Sequence, residues 1–131
     1  MRSIRQIIVH HTATGLDAVT EDIRRMHVEE RGWTDIGYHF VIEADGSIHP
    51  GRHVSRIGAH AKGNNRFSIG VALIGDNTVE GREWTMQQRF VLPIVIRMLQ
   101  VLYPGAQVLG HRDVRQTACP GFAFAWPNEE I

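Results

Sequence analysis

Apolar residues of this chain come in short blocks separated by turn-forming residues, and the first block predicts a buried strand. Ile7-Ile8-Val9 is a β-branched run of the kind that favours strands. It is followed by His10 and His11 and then by the turn-prone residues 12–15. We therefore expect a strand that delivers histidine at its carboxyl end.

The next segment has the periodicity of an amphipathic helix. Asp17 or Thr20 is expected to cap it, and it should end before Gly32. Its predicted apolar face consists of Val19, Ile23 and Met26. Such a helix would cover one face of a sheet.

A hairpin and a central strand are predicted further along the chain. Residues 38–42 and 47–49 flank Asp45-Gly46, a pair typical of tight hairpin turns. Residues 50–66 carry glycines and little periodicity, which predicts an ordered loop with a short strand at most. Residues 68–74 then form an apolar run that predicts a central strand.

The last third of the chain predicts a long helix and one more strand. Thr85 and Gln88 form a capping box, which opens a helix through about Tyr103. Val108-Leu109 predicts a short strand, and one helical turn is expected near residues 122–126. Strands separated by two helices indicate an α/β (α+β) fold, a central mixed β-sheet flanked by helices, in a single domain over residues 1–131.

Composition excludes several classes of partner. Fourteen Lys and Arg balance fourteen Asp and Glu, so no basic field indicates binding to nucleic acid or to an anionic membrane. The apolar stretch 90–102 is interrupted by polar residues, so stable membrane insertion is not expected. The first residues lack the apolar segment of a signal peptide, which predicts a protein that is cytoplasmic at synthesis.

Candidate chemistry centres on the eight histidines and the single cysteine. His111 and Cys119 lie close together near the C-terminus, and His10 lies at the end of the first predicted strand. Two imidazole nitrogens and one thiolate, with a fourth position open to water, are the ligands of a catalytic zinc site. From residue types alone His11 competes with His10, and a buried thiol beside ordinary surface histidines remains the alternative.

Six short strings occur in one order along the chain. They are residues 8–14 (IVHHTAT), 37–40 (GYHF), 58–63 (GAHAKG), 68–71 (SIGV), 110–113 (GHRD) and 117–121 (TACPG). Together they closely resemble the type-2 N-acetylmuramoyl-L-alanine amidases, which include phage lysozyme-type endolysins and the peptidoglycan recognition proteins. The resemblance covers roughly residues 4–126, nearly the whole chain.

The resemblance implies a mixed sheet with zinc (Zn2+) at the floor of an open groove. By position, its ligands are His10 rather than His11, together with His111 and Cys119. His11 is then expected to be a side chain packed behind the ligands. Tyr38 matches a tyrosine that lies next to the metal in the family.

The resemblance also implies a reaction, in which zinc activates water and polarises an amide carbonyl while Tyr38 and Thr117 stabilise the oxyanion. Two departures matter. Thr117 stands where some lytic members have lysine, and Ala72 stands where some recycling amidases have glutamate, so the group that shuttles the proton is left open. The bond cut would join N-acetylmuramic acid to the L-alanine of the stem peptide.

The resemblance places the segment around His60 on a groove wall, and we assign His60, Lys62 and Asn65 to substrate binding, with a solvated loop histidine as the alternative for His60. The implied partner is peptidoglycan, bound by a monomer. His39 and Asp113 are expected to have structural roles, because His39 alternates to the other side of its strand and Asp113 follows His111 in a turn.

Several other functions compete with an amidase of a phage or prophage endolysin. A non-catalytic peptidoglycan-binding module on the same fold would typically lack Cys119, and a cytoplasmic wall-recycling amidase is a further alternative. Glycosidase chemistry needs a facing pair of carboxylates, for which the sequence shows no distinguishing pattern. An RNA polymerase contact, known for some phage amidases of this size, has no independent support in the sequence.

Overall fold

A five-stranded mixed sheet forms the centre of the protein. The structure is a computed structural model that describes residues 2–128. The strands are β1 (Gln6–His11), β2 (Phe40–Ile42), β3 (Ile48–Pro50), β4 (Ser68–Leu73) and β5 (Gln107–Gly110). They lie in the order β3-β2-β4-β1-β5, with β2 and β3 antiparallel and the other pairs parallel. This confirms the predicted mixed sheet. The predicted domain bounds also include residues 1 and 129–131, which lie outside the described residues.

Strands β1 and β4 are the most deeply buried part of the sheet. Every residue of β4 is buried, as are the last five of β1. Near-continuous apolar runs of this kind are expected where a parallel strand is covered on both faces. Two clusters of buried residues, one on each side of the sheet, provide that cover.

One face of the sheet is covered by α2 (Met86–Leu102), the long helix predicted from the capping box. The Thr85 side chain accepts a hydrogen bond from the Gln88 amide, and the Gln88 side chain accepts one from the Thr85 amide. Gln88 is fully buried, and its side-chain amide also donates to the carbonyls of Ile42 and Ile74. The capping box therefore also ties the start of the helix to the sheet.

The other face is covered by α1 (Thr20–Arg25), which continues as a π-helical turn over Met26–Glu30. The predicted cap at Asp17 or Thr20 is wrong. Val19 precedes the helix and is 43% exposed, so it does not belong to the buried face either. The Thr20 amide and hydroxyl instead bind Glu43, at 2.8 and 2.7 Å, because β2 ends beside them. Ile23 is buried as predicted.

The predicted hairpin is confirmed by the pairing of β2 with β3. Gly46 lies in its turn with a φ of +87°, a conformation that glycine adopts without strain. Within residues 51–64 no strand is formed, and a short 3₁₀ turn (Asn65–Phe67) leads into β4. This segment is the ordered loop that the sequence predicts.

The helical turn predicted near residues 122–126 is wrong. The only helical turn described after β5 within residues 2–128 is a 3₁₀ turn over His111–Asp113. Phe122, Phe124 and Trp126 are partly buried against the core, and this spacing of two suits an extended chain rather than a helix. Asn128 then pairs with both backbone groups of Val108 and holds the tail against β5.

The parallel strands place their carboxyl ends at one edge of the sheet. Val9 of β1 pairs with Gly110 of β5, so His10, which is still in β1, lies beside His111, the first residue after β5. Ligands of open α/β sheets bind at this edge. No helix within residues 2–128 combines the length and apolar character needed to cross a bilayer.

Candidate functional site

Three side chains with metal-ligating atoms meet at the carboxyl edge of the sheet. His10, His111 and Cys119 each offer one ligand atom, and these atoms all lie within 4.8 Å of one another. The Cys119 sulfur is 3.7 Å from Nδ1 of His10, and the two imidazole centroids are 4.6 Å apart. His11 points elsewhere: its Nδ1 accepts a hydrogen bond from the amide of Asn77. The geometry thus selects His10 rather than His11 for this cluster.

The loop after β5 brings Cys119 to the two histidines. Asp113 accepts a hydrogen bond from the Gly110 amide and so closes the turn at the end of β5, the structural role predicted for it. The Arg112 amide donates to the Cys119 carbonyl, which folds the loop back on itself. Residues separated by more than a hundred positions in the sequence thereby reach one site.

The donors of this cluster fit a zinc ion. Nε2 of His111 is buried and has no hydrogen-bond partner among residues 2–128, so this nitrogen is available to a metal. The pKa of His10 lies well below its usual value, mainly because the ring is buried and also because His60 and His111 lie close to it. The imidazole is therefore neutral, as a metal ligand must be. Burial raises the pKa of the Cys119 thiol to about 12, and a bound cation is what would stabilise its thiolate.

Tyr38 lies beside the cluster, at the entry to β2. Its ring centroid is 5.2 Å from that of His10 and 5.5 Å from that of His27. Burial, then Cys119, raises the pKa of the Tyr38 phenol above its usual value. The side chain therefore stays a neutral hydrogen-bond donor, which is the state that the predicted role requires.

Thr117 reaches the same site from the loop that carries Cys119. Its hydroxyl oxygen accepts a hydrogen bond from the Cys119 amide at 3.3 Å. The hydroxyl hydrogen is free to donate, since a hydroxyl has one donor and two acceptor positions. Thr117 is partly buried and lines the groove.

A groove of about 710 Å³ opens above the cluster. It is lined by all eight residues predicted for the site: His10, Tyr38, His60, Lys62, Asn65, His111, Thr117 and Cys119. Lys62 is exposed, whereas the side-chain oxygen Oδ1 of Asn65 accepts hydrogen bonds from the backbone amides of His60 and Ala61. Oδ1 of Asn65 thus holds the groove wall in place, and its side-chain NH₂ group remains available for other contacts.

His60 lies deeper than a substrate-binding residue on a groove wall would. Its Nδ1 is 2.9 Å from Nε2 of His10, and its Nε2 is 3.1 Å from the hydroxyl of Ser68. Only 9% of the residue is exposed. Because both ring nitrogens are engaged inside the protein, this arrangement favours an action on His10 over the predicted contact with substrate.

His39 has the structural role that the sequence predicts. Its Nδ1 accepts a hydrogen bond from the Gly70 amide, so its Nε2 carries the hydrogen and donates to the Arg56 carbonyl. The side chain therefore ties the loop before β4 to the sheet.

Sequence reasoning missed several residues of the groove, among them His27. Its Nδ1 accepts a hydrogen bond from the Gly37 amide at 2.9 Å, which leaves Nε2 as the protonated nitrogen. Burial, then Arg31 and Arg52, lowers its pKa to about 4. The further lining residues that were missed include Arg31, Trp33, Asp76, Thr78 and Arg115. No spacing signal identifies them, because they reach the groove from three separate segments.

Comparison with known proteins supplies the family. The family described as N-acetylmuramoyl-L-alanine amidase matches residues 1–122. The endolysin of Enterobacteria phage K11 is 40% identical over 122 residues, which cover 89% of this chain and 80% of the relative.

Solved structures agree with this match. The endolysin amidase LysCS from Clostridium intestinale has a TM-score of 0.85 at 37% identity, covering 94% of this chain and 78% of the other. A mutant of Drosophila PGRP-LB in complex with tracheal cytotoxin has a TM-score of 0.83 at 33% identity, and the match covers 100% of this chain and 86% of the other. The chain therefore belongs to the N-acetylmuramoyl-L-alanine amidase family.

Proposed function

We propose that the protein is a zinc-dependent amidase that cuts the bond between N-acetylmuramic acid and L-alanine in bacterial peptidoglycan. The observation that carries the proposal is the cluster of His10, His111 and Cys119 at the floor of a groove, with Tyr38 beside it. Family membership supports the same reaction, since relatives are named endolysin and N-acetylmuramoyl-L-alanine amidase.

His10, His111 and Cys119 would hold the zinc and leave a fourth position open, as in catalytic sites. When bound, zinc supplies Lewis-acid polarisation of the scissile carbonyl and activation of water. A structural zinc site would need a fourth protein ligand. The buried, unpaired Nε2 of His111 supports a cation at this place.

Tyr38 and Thr117 would act on the carbonyl oxygen of the scissile amide. Each presents a neutral hydroxyl beside the cluster, and a fixed donor stabilises the negative charge that develops there during attack. Tyr38 is the stronger donor of the two, because a phenolic O–H is more acidic than the aliphatic O–H of Thr117.

The charge of the groove suits a substrate that carries carboxylates, as stem peptides do. Arg31, Lys62 and Arg115 line it, and Asp76 is the only acidic residue of its lining within residues 2–128. The similarity to a PGRP-LB structure that contains tracheal cytotoxin supports a peptidoglycan fragment as ligand. Lys62 and the free amide of Asn65 are the candidate contacts at its edge.

The biological role that we propose is that of a phage or prophage endolysin, made in the cytoplasm and acting on the wall after release through the inner membrane. The supporting observation is that relatives from phages K11, KP32 and T7 are named endolysins and cover most of this chain. We further propose that the protein acts as a monomer.

Metal removal tests the proposal with a matched pair of variants. Chelation should abolish release of wall fragments, and zinc should restore it. His111→Ala should lose bound zinc and activity together, whereas His11→Ala should keep most of both, because the His11 ring bonds to Asn77 instead. Elemental analysis and a wall-release assay measure the two properties. Full activity without zinc, or the reverse order of the two variants, would refute the proposed centre.

A further inference from the structure

Three side chains form a hydrogen-bonded chain behind the cluster. Nε2 of His10 is 2.9 Å from Nδ1 of His60, and Nε2 of His60 is 3.1 Å from the hydroxyl oxygen of Ser68. All three residues are buried, at 1%, 9% and 0% exposed. The chain lies on the side of His10 away from Cys119, whose sulfur faces the other ring nitrogen, Nδ1.

Such a chain can run in two directions, because a neutral imidazole has one N–H and one acceptor nitrogen. In one direction His10 donates from Nε2 to His60, and His60 donates from Nε2 to the Ser68 oxygen. Nδ1 of His10 is then free of hydrogen. In the other direction Ser68 donates to His60 and His60 donates to His10, which leaves the hydrogen on Nδ1 of His10. A metal ligand must present the unprotonated nitrogen, so only the first direction permits binding.

The surroundings hold the His60 ring in place. The side-chain oxygen Oδ1 of Asn65 accepts hydrogen bonds from the backbone amides of His60 and Ala61, at 2.9 and 2.8 Å. The ring lies against Gly70 in the middle of β4, where a Cβ atom would come within 2.6 Å of it. A side chain larger than hydrogen at position 70 would therefore displace the imidazole. Loop and strand thus fix His60 at a defined distance from His10.

We propose that His60 is a positioning residue that holds His10 as its Nε2–H tautomer and aims Nδ1 at the metal, while the Ser68 hydroxyl oxygen accepts the hydrogen bond from Nε2 of His60. This inference rests on the proposed function, in which His10 is a zinc ligand. Hydrogen-bond partners behind a ligating histidine commonly orient its ring and raise its basicity. Here a second histidine takes the place of the usual carboxylate or carbonyl.

Zinc affinity separates positioning from simple packing. His60→Leu keeps much of the ring volume but removes the acceptor, and we expect zinc affinity to fall about 10- to 100-fold. His60→Asn places an amide oxygen near the position of Nδ1 and should restore most of that affinity. His53→Leu, at an exposed histidine, is the control and should bind zinc like the parent. Competition against a chelator measures each value.

A second measurement uses the zinc-loaded parent and does not depend on the stability of any variant. Long-range ¹H–¹⁵N correlation spectra report which ring nitrogen of His60 is protonated, and we expect Nε2, with Nδ1 as acceptor. A hydrogen on Nδ1 would overturn the inference, as would equal zinc affinities for His60→Leu and the parent, or for His60→Leu and His60→Asn. If His111→Ala also kept its zinc, the proposed metal centre itself would fail.

Discussion

Tyr38→Phe isolates one hydroxyl next to the proposed metal centre. The substitution keeps the ring and therefore the packing against His10 and His27, at centroid distances of 5.2 and 5.5 Å. No cavity is created, so stability should hardly change. The lost atom is the donor that we expect to stabilise charge only in the transition state. Zinc content and binding to insoluble wall should therefore persist while turnover falls.

The size of that loss follows from the position of the side chain. Loss of one oxyanion donor typically costs about 10²- to 10³-fold in kcat, or roughly 2.7–4 kcal/mol. The groove that Tyr38 lines is open to solvent, so water can partly replace the lost donor and the lower end, about a hundredfold, is expected. Thr117→Val should lose up to about tenfold, the value of one ordinary hydrogen bond.

The assay is turnover of a defined muropeptide, with zinc measured in the same samples. Tyr103→Phe is the matched control, because Tyr103 is the other tyrosine of the chain and packs against the core. Its turnover should equal that of the parent. If Tyr38→Phe cleaves as fast as the parent, the oxyanion role is wrong. If it loses zinc as well, Tyr38 acts on the metal site rather than on the transition state.

Three further predictions concern stability and substrate binding. Gln88→Ala should lower the free energy of unfolding by at least about 2 kcal/mol, because the buried carbonyls of Ile42 and Ile74 lose their hydrogen-bond donor. Gln87→Ala, at an exposed position, is the control and should change the free energy of unfolding little. Urea titrations measure both variants, and equal effects would contradict the prediction. Burial lowers the pKa of His27 and His39 to about 4, so as the pH falls the unfolded chain binds protons before the folded protein does. The free energy of unfolding should therefore decrease as the pH falls from about 6.5 to about 4. A free energy of unfolding that stays constant in urea titrations across that range would oppose this prediction. Lys62→Gln should raise KM up to about fivefold at low salt and should weaken the dependence of KM on salt concentration. If KM depends on salt in the variant as it does in the parent, Lys62 makes no charge contact with the substrate.

The parts of the fold that sequence predicts well are those fixed by neighbouring residues. The capping box of Thr85 and Gln88 and the Asp45-Gly46 turn need only residues close together in the chain, and both are confirmed. The predicted cap of α1 was wrong because Thr20 binds Glu43, which follows β2, instead of capping its own helix. A contact across 23 positions leaves no local pattern to detect.

The candidate site shows the same division. Residue types point to His111, Cys119 and one of the pair His10 and His11, and the motif resemblance selects His10. The position of His60 behind His10 depends on the approach of a loop to the sheet, and the two histidines are 50 positions apart in the sequence. His27 reaches the groove from the π-helical turn, whose backbone geometry is not encoded in apolar periodicity. Sequence therefore indicates which residues carry the chemistry better than it indicates which residues orient them.

Mass spectrometry of the soluble products from purified peptidoglycan tests the central claim most directly. The account predicts free stem peptides that begin with an unblocked L-alanine, together with glycan strands whose sugar linkages are intact. The zinc-free protein should release neither. New reducing ends on the glycan would indicate a glycosidase, and binding to the wall without any release would indicate a recognition module. Either result would contradict the assignment of the protein as a zinc amidase.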